Sequence, residues 1–379
     1  MSTVSLARAT LIYEWRRFLA AILAVSFSGL LVLIQVALLL GMFGTVSNYI
    51  DHSKADLWIG YRDTKSVDLG RNIPASNEVF IRMHPEVRQV ERFLLWFGDW
   101  RRPDGAVLSV FVVGIDTRPN GLALAKRVSP EQRAALNTPD TVLVDVAEAD
   151  KLQAKIGTLV EINGRRMKVA GIVSGLRSIG GANVVASLAT AERLMDSTSS
   201  KAQETTYFLA RLVDGANVEK VRAALEPRGA RQAFSVWEAG SFSQQSQTYW
   251  LLESGAGVGA GFASLLGLMV GILITSQTLR ATLMASVREY ATLRALGVSL
   301  RSLRAVVLEQ AFWIGIIGLS ITVVTTVSVA LLAWQAQVAM SFPGWLLVSV
   351  AVLTILVALG SGLLALKPLF QAEPATLLR

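Results

Sequence analysis

"FLAAILAVSFSGLLVLIQVALLLGMFG", Phe18–Gly44, decides what kind of protein this is. It follows the basic tetrapeptide Glu14–Arg17, "EWRR", so two readings compete, a cleaved signal and a permanent anchor. The apolar core far exceeds the 7–15 residues of a signal peptide, and no A-x-A site follows it. The stretch therefore reads as a membrane anchor, long enough to cross roughly 30 Å of hydrocarbon with about 20 residues. Composition agrees: of 379 residues 52% are hydrophobic and only 17% charged, too apolar a balance for an ordinary soluble protein.

Three further stretches qualify as spans: Gly255–Leu279, Ala305–Trp334 and Gly344–Leu366. The expected fold class is a membrane protein of four transmembrane α-helices, with a large α+β extracytoplasmic domain between helices 1 and 2. Its expected divisions are a cytoplasmic segment 1–17, first span 18–44, external domain 45–247, and second span with a periplasmic extension 248–279. A cytoplasmic coupling helix and turn 280–304, third span 305–334, external loop 335–343, fourth span 344–366 and cytoplasmic tail 367–379 complete it.

Orientation follows from the basic flanks. The formal net charge is +8, and in a membrane protein such an excess marks cytoplasmic segments rather than nucleic-acid binding. Arg8, Arg16 and Arg17 precede the first span. Arg280, Arg288, Arg294, Arg301 and Arg304 lie between the second and third, and Lys367 and Arg379 follow the fourth. The connection "QAQVAMSFP" between the last two spans carries no charge. Both termini are thus expected in the cytoplasm and the large domain outside. The chain has no cysteine, which removes disulfides and thiol chemistry.

Within the external domain, strands are expected at 108–116, 140–146, 157–164 and 166–174, with a hairpin turn at Asn163-Gly164. Helices are expected at "SPEQRAAL" with Ser129 as N-cap and Pro130 in the first turn, "AEADKLQAKIG", "ATAERLMDS" and "NVEKVRAALEPRG". Catalytic signals are weak. His52 and His84, the only histidines, stand in no metal-binding spacing, and Asp145, Glu148 and Asp150 read as helix N-terminal charge. No metal site is expected. The aromatic run "FLLWFGDW", Phe93–Trp100, admits a core strand or an apolar contact surface.

The second span contains two G-x-x-x-G pairs, Gly257–Gly261 and Gly267–Gly271, which let helix backbones approach within the chain or across a dimer. "QQSQTYWLLES", Gln244–Ser254, leads into it and is expected to continue the helix stiffly outward, with Tyr249 and Trp250 at headgroup level. In the third span Glu309 is a carboxylate at membrane depth, costly unless paired or wet; a structural pair with Arg304 and a functional role both fit.

Between the second and third spans lies "REYATLRALGVS", Arg288–Ser299. Leu283, Val287, Tyr290, Leu293, Leu296, Leu300 and Leu303 recur at helical steps, with Gly297 placed to end one helix and Ser299 to cap the next. Arg288, Glu289 and Arg294 have no opposite charge three or four residues away, so their partners must lie off their own helix. A docking surface for a cytoplasmic partner accounts for all of them.

This stretch, read on through "LRSLRAVVLEQ", resembles the signature of FtsX/MacB-like ABC transporter permeases, and its Glu-Tyr-Ala-Thr-Leu form looks most like the DevC branch. "VLVDVAEADKLQAKIGTLVEINGRRMKVAGIV" is similar to that family's external domain, and "EPATLLR" to its C-terminal tail. The resemblance implies a homodimer docked on two copies of a separate ABC ATPase, with Arg288, Glu289, Leu293, Arg294, Leu296 and Gly297 forming the coupling helix. It implies no cofactor in this chain, ATP and Mg residing on the ATPase, and no G-x-x-x-x-G-K-[ST] loop is present. It further implies mechanotransmission: ATPase closure moves the external domain to drive efflux through a HlyD-like periplasmic adaptor and an outer-membrane exit duct. The alternative is an FtsX-like regulator that activates an external cell-wall hydrolase. A membrane-anchored receptor ranks last, because it has no use for a coupling helix.

Overall fold

The structure is a computed structural model that describes residues 6–177, 181–195, 204–285, 299–336 and 338–366. In chain order it begins with α1 (Leu6–Tyr13), α2 (Trp15–Gly44), α3 (Asn48–Asp51) and β1 (Leu57–Tyr61). Next come β2 (Ile73–Pro74), α4 (Glu78–Arg82), the long β3 (Val87–Arg101), β4 (Val107–Ile115) and α5 (Pro130–Ala135). Then follow β5 (Thr141–Asp145), α6 (Val146–Leu152), β6 (Leu159–Ile162), β7 (Arg165–Val173), β8 (Ala182–Ser187) and α7 (Leu188–Met195). The external part ends with β9 (Glu204–Thr205), β10 (Tyr207–Leu212), α8 (Val218–Gln232), β11 (Phe234–Glu238) and α9 (Ala239–Thr248). The last helices are α10 (Ala256–Ala285), α11 (Leu300–Gln335) and α12 (Gly344–Leu366). The chain divides into two compact units, Met42–Gly255 and the described residues on either side of it.

Among the described residues four helices, α2, α10, α11 and α12, are long and apolar enough to cross a membrane. Half of the apolar window of α2 is buried within its unit, against 11% for α10, so the first span is central and the second turns most of its surface outward. Phe262, Leu265, Met269 and Leu273 lie on that outward surface. Apolar side chains gain little by leaving lipid for one another, so contact between spans depends on small residues and hydrogen bonds.

The external unit is a nine-stranded sheet in the order β11-β1-β10-β3-β4-β8-β5-β7-β6, and an added β3–β6 pairing closes its second half into a six-stranded ring. β3 serves both halves: Val87–Phe93 pair with β10, and Leu94–Arg101 pair with β4. Alternate side chains of one strand enter different clusters because the strand period is two. Val110 and Val112 of β4 fill the ring with Trp100, Val144 and Ile162, whereas Phe111 and Val113 join Trp58, Phe93 and Tyr207 outside it. β1 and β10 divide likewise, sending Leu57, Ile59 and Phe208 to a third cluster under α8.

Local chemistry sets several boundaries. Ser129 and Gln132 form a reciprocal capping box at α5, with Pro130 in its first turn. β6 and β7 join at Asn163 and Gly164, both left-handed at φ 49° and 77°, as a two-residue hairpin of this hand requires. The helix expected over 147–157 stops at Leu152, because Gln153 turns left-handed (φ 52°) and ends it.

The lead-in to the second span differs from expectation. α9 gives way to a π-helical turn at Tyr249–Glu253, and Gly255, at φ 82°, breaks the helix before α10 begins. The stiff continuous helix expected from 248 is thus two helices with a break between them. Trp250 also has another use: its ring stacks on Phe43 at 6.3 Å, and its indole N–H donates to Asp68 Oδ1 at 3.2 Å.

Candidate functional site

Glycine makes the seam inside the membrane unit. A Cβ on Gly271 would collide with the Ser28 side chain, and one on Gly267 would lie 3.0 Å from Leu31. Ser28 Oγ is 2.9 Å from the carbonyl of Ala24 in its own helix and 3.0 Å from that of Gly267. The second G-x-x-x-G pair therefore packs on the first span, sealed by a hydroxyl that satisfies itself on backbone. The first pair does not, since Gly261 meets nothing within 4 Å and Gly257 is half-buried.

The same logic repeats at the other contacts. Gly29 would place a Cβ 2.7 Å from Thr354 Oγ1, Gly318 one 3.1 Å from Val25, and Gly362 one 2.8 Å from Ala311. Thr322 Oγ1 lies 3.1 Å from the Ser26 carbonyl, and Gln35 hydrogen-bonds Ser264. Glu309 is half-buried beside the buried Gln310, and it is not without a partner. The sequence reading singled out Gly257, Gly261, Gly267, Gly271 and Glu309 but missed Gly29, Gly318 and Gly362, together with Ser28, Thr322 and Thr354. Their signal was present: small hydroxyl residues in "SFSG", "SITVVTT" and "VLTIL" at lipid depth.

The candidate coupling residues Arg288, Glu289, Leu293, Arg294, Leu296 and Gly297 lie outside the described residues. The first described residue after them is Ser299, whose hydroxyl accepts from Ser302 N at 3.2 Å and caps α11.

In the external unit the structure brings together polar groups that the sequence reading did not connect. Glu91 is buried on β3, where its carboxylate accepts the backbone N–H groups of Leu122 and Ala123. Arg133 of α5, also buried, donates to the carbonyls of Asp116 and Ala123. Together they pin the 116–124 connection, satisfying backbone groups that the short α5 cannot. Burial pushes the Glu91 carboxyl above its usual range although the two amide bonds pull the other way, and burial lowers the Arg133 guanidinium.

The expected catalytic signals resolve into structure. Asp145 caps α6 through Ala147 N at 2.8 Å and holds Leu176 N at 2.6 Å, while Glu148 pairs with Lys151. His52 Nε2 accepts from Arg127 Nε at 3.1 Å, and burial with the neighbouring Arg127 charge lowers its pKa. His84 Nδ1 accepts from Glu86 N. Among the described residues no acidic or histidine cluster could hold a metal ion. The run Phe93–Trp100 divides: Phe93 and Trp100 are core, while Phe97 is 59% exposed and lies 4.2 Å from Phe111.

Two family models match this chain, a MacB-like periplasmic core domain over residues 18–228 and an FtsX-like permease C-terminal region over 261–374. The chain belongs to the MacB/FtsX-like permease family. In this MacB/FtsX-like permease the matched N-terminal region takes in α2 and most of the external unit, and the C-terminal one takes in the three remaining spans. No curated protein matches it.

Solved structures with similar folds include the periplasmic region of MacB from Actinobacillus actinomycetemcomitans, at 12% identity and a TM-score of 0.35, covering 52% of this chain and 94% of that one. The extracellular domain of the noncanonic ABC-type transporter YknZ from Gram-positive bacteria matches at 11% identity and 0.33, covering 48% and 99%. A domain of a putative permease protein from Porphyromonas gingivalis matches at 15% and 0.31, covering 49% and 91%.

Proposed function

We propose that this permease is the membrane subunit of an ABC exporter, a homodimer carried on two copies of a separate ATPase that binds ATP and Mg. It works by mechanotransmission, with cytoplasmic closure moving the external domain to drive efflux through a HlyD-like adaptor and an outer-membrane exit duct, as in DevC-like systems. Both termini are cytoplasmic in the bacterial inner membrane, and residues 288–297 seat in the ATPase cleft.

The close-packed seam carries this reading. At Gly29, Gly271, Gly318 and Gly362 one added carbon would touch or strike the neighbouring helix. Spans fitted so tightly at these points move together, which favours motion over a pore as the useful output. In sequence, the segment 286–298 carries the apolar stripe expected of a docking helix, and its Arg288, Glu289 and Arg294 have no opposite charge three or four residues away.

Purification of the tagged permease from native membranes tests the proposal. Recovery of an ABC ATPase together with a HlyD-like adaptor supports export. Recovery of a peptidoglycan hydrolase in place of the adaptor replaces it with the regulator reading.

A further inference from the structure

The loop that follows β1 builds a cationic cavity that neither the fold nor the transport reading uses. The cavity is about 360 Å³, ringed by Arg62, Lys65 and Arg71 and walled by Tyr61 and Leu69, with Asp63 its single carboxylate. Among the described residues Arg62 and Arg71 form no ion pair, and Lys65 reaches Glu253 only at 3.8 Å. Arg71 instead lies over the Tyr61 ring, 5.4 Å from its centroid. Three cations facing Asp63 and the more distant Glu253 repel one another and favour an anion between them.

The rim is held rigidly from beneath. Thr64 Oγ1 donates to the Tyr61 carbonyl at 2.7 Å, and Gln245 Nε2 of α9 donates to the Thr64 carbonyl at 2.9 Å. Val67 N donates to Ser246 Oγ at 3.1 Å, and Tyr207 OH donates to the Val67 carbonyl at 2.8 Å. Asp63 closes the turn in the left-handed region at φ 60°. A loop already fixed by buried partners loses little freedom when a ligand arrives.

The same turn also lines a second cavity of about 280 Å³. It shares Asp63, Thr64 and Lys65 with the first and is walled by Trp237, Gln245 and Tyr249. Glu253, also in its lining, stands three residues before Ala256, where the second span begins. A cationic side next to an aromatic side suits a molecule with an anionic head and a glycerol-like body. At this position in the chain the phosphate on offer is that of a membrane lipid, and a tyrosine close to a span, as Tyr249 is in sequence, favours headgroup level.

We infer that Arg62, Lys65 and Arg71 bind the phosphate of an anionic membrane phospholipid, whose glycerol portion lies along Trp237 and Tyr249. The site needs neither ATPase nor adaptor, so it stands or falls apart from the exporter reading. Arginine forks supply paired, charge-assisted bonds to phosphate oxygens.

The test titrates the full chain in detergent with dihexanoyl phosphatidylglycerol, dihexanoyl phosphatidylcholine and inorganic phosphate, read by native mass spectrometry. It compares the unsubstituted protein, Arg62→Ser/Arg71→Ser, and Arg88→Ser as a control at an exposed arginine elsewhere. The expected result is phosphatidylglycerol binding weakened about tenfold or more in the double variant and unchanged in the control, with the other two probes bound weakly throughout. Arg71→Gln, which keeps the stem over Tyr61, gives the same comparison should the double variant unfold. Equal phosphatidylglycerol affinity in variant and unsubstituted protein overturns the site. Inorganic phosphate bound as tightly as the lipid overturns the lipid assignment in favour of a soluble anion.

Discussion

Thr206 stands in for a strand beside Leu95. Its hydroxyl accepts Leu95 N at 2.9 Å and lies 3.2 Å from the Leu95 carbonyl, just where β3 leaves β10 for β4. Thr205 Oγ1 and Thr206 N meanwhile both reach the Phe93 carbonyl, at 3.0 and 3.2 Å. Two side chains thus supply the ladder at the point where the sheet changes partner, which lets one strand hold both halves of the external unit without orphaned backbone groups.

Thr206→Val keeps the shape and removes the hydroxyl, leaving Leu95 N without its partner. A cost of about 1–3 kcal/mol is expected, which lowers the unfolding midpoint of the external unit. Thr206→Ser restores most of it. Thermal unfolding of the full chain checks this; a valine variant as stable as the serine variant would show that the hydroxyl is idle.

Gly271→Val drives a side chain into Ser28, whereas Gly261→Ala enters open space. The first is expected to cost about 1–3 kcal/mol through overpacking. The second is expected to be neutral or slightly stabilising, since Ala is the better helix former by about 1 kcal/mol. Unfolding midpoints in detergent separate the two. Equal loss in both would place Gly261 in a contact between copies.

Glu289→Lys tests the coupling helix. Reversing an interfacial charge costs several kcal/mol, so the ATPase recovered with the permease should fall about tenfold or more while membrane insertion is unaffected. Full recovery of ATPase with the variant removes Glu289 from the docking surface.

His52 carries a pH dependence of stability. Its pKa is lowered in the fold, chiefly by burial and then by Arg127. Between the lowered value and the ordinary value of about 6.5, the unfolded chain binds more protons than the folded one. Stability is therefore fully present above about pH 6.5 and declines as pH falls through that window. His52→Gln, which cannot titrate, should flatten this part of the profile, and an identical slope in the variant would contradict the assignment. No change is expected near neutral pH.

What the sequence disclosed depended on how many faces of each element are buried. The spans were legible because lipid demands long apolar runs, and so were the Asn163-Gly164 hairpin and the Ser129 cap, whose chemistry is local. β1, β8 and β10 escaped because they carry no clear alternation; "LWIG", "VVA" and "YFLA" are apolar throughout, their residues shared between two clusters. Closure of the ring joins Trp100 to Ile162, far apart in sequence, and no pattern within either strand announces it. The two G-x-x-x-G pairs of the second span were visible, but which pair would pack was decided by Ser28 and Leu31 on another helix.

The chain has no cysteine, so one introduced thiol labels one position per copy. Lys155 is exposed on the external unit and serves for Lys155→Cys. The decisive measurement is the spin-label distance between the two copies by pulsed electron resonance, in the assembled permease with its ATPase, before and after trapping with ATP. The account predicts a shift of the distance distribution on ATP trapping that disappears in Glu289→Lys. An unchanged distribution while the ATPase is demonstrably turning over would contradict mechanotransmission.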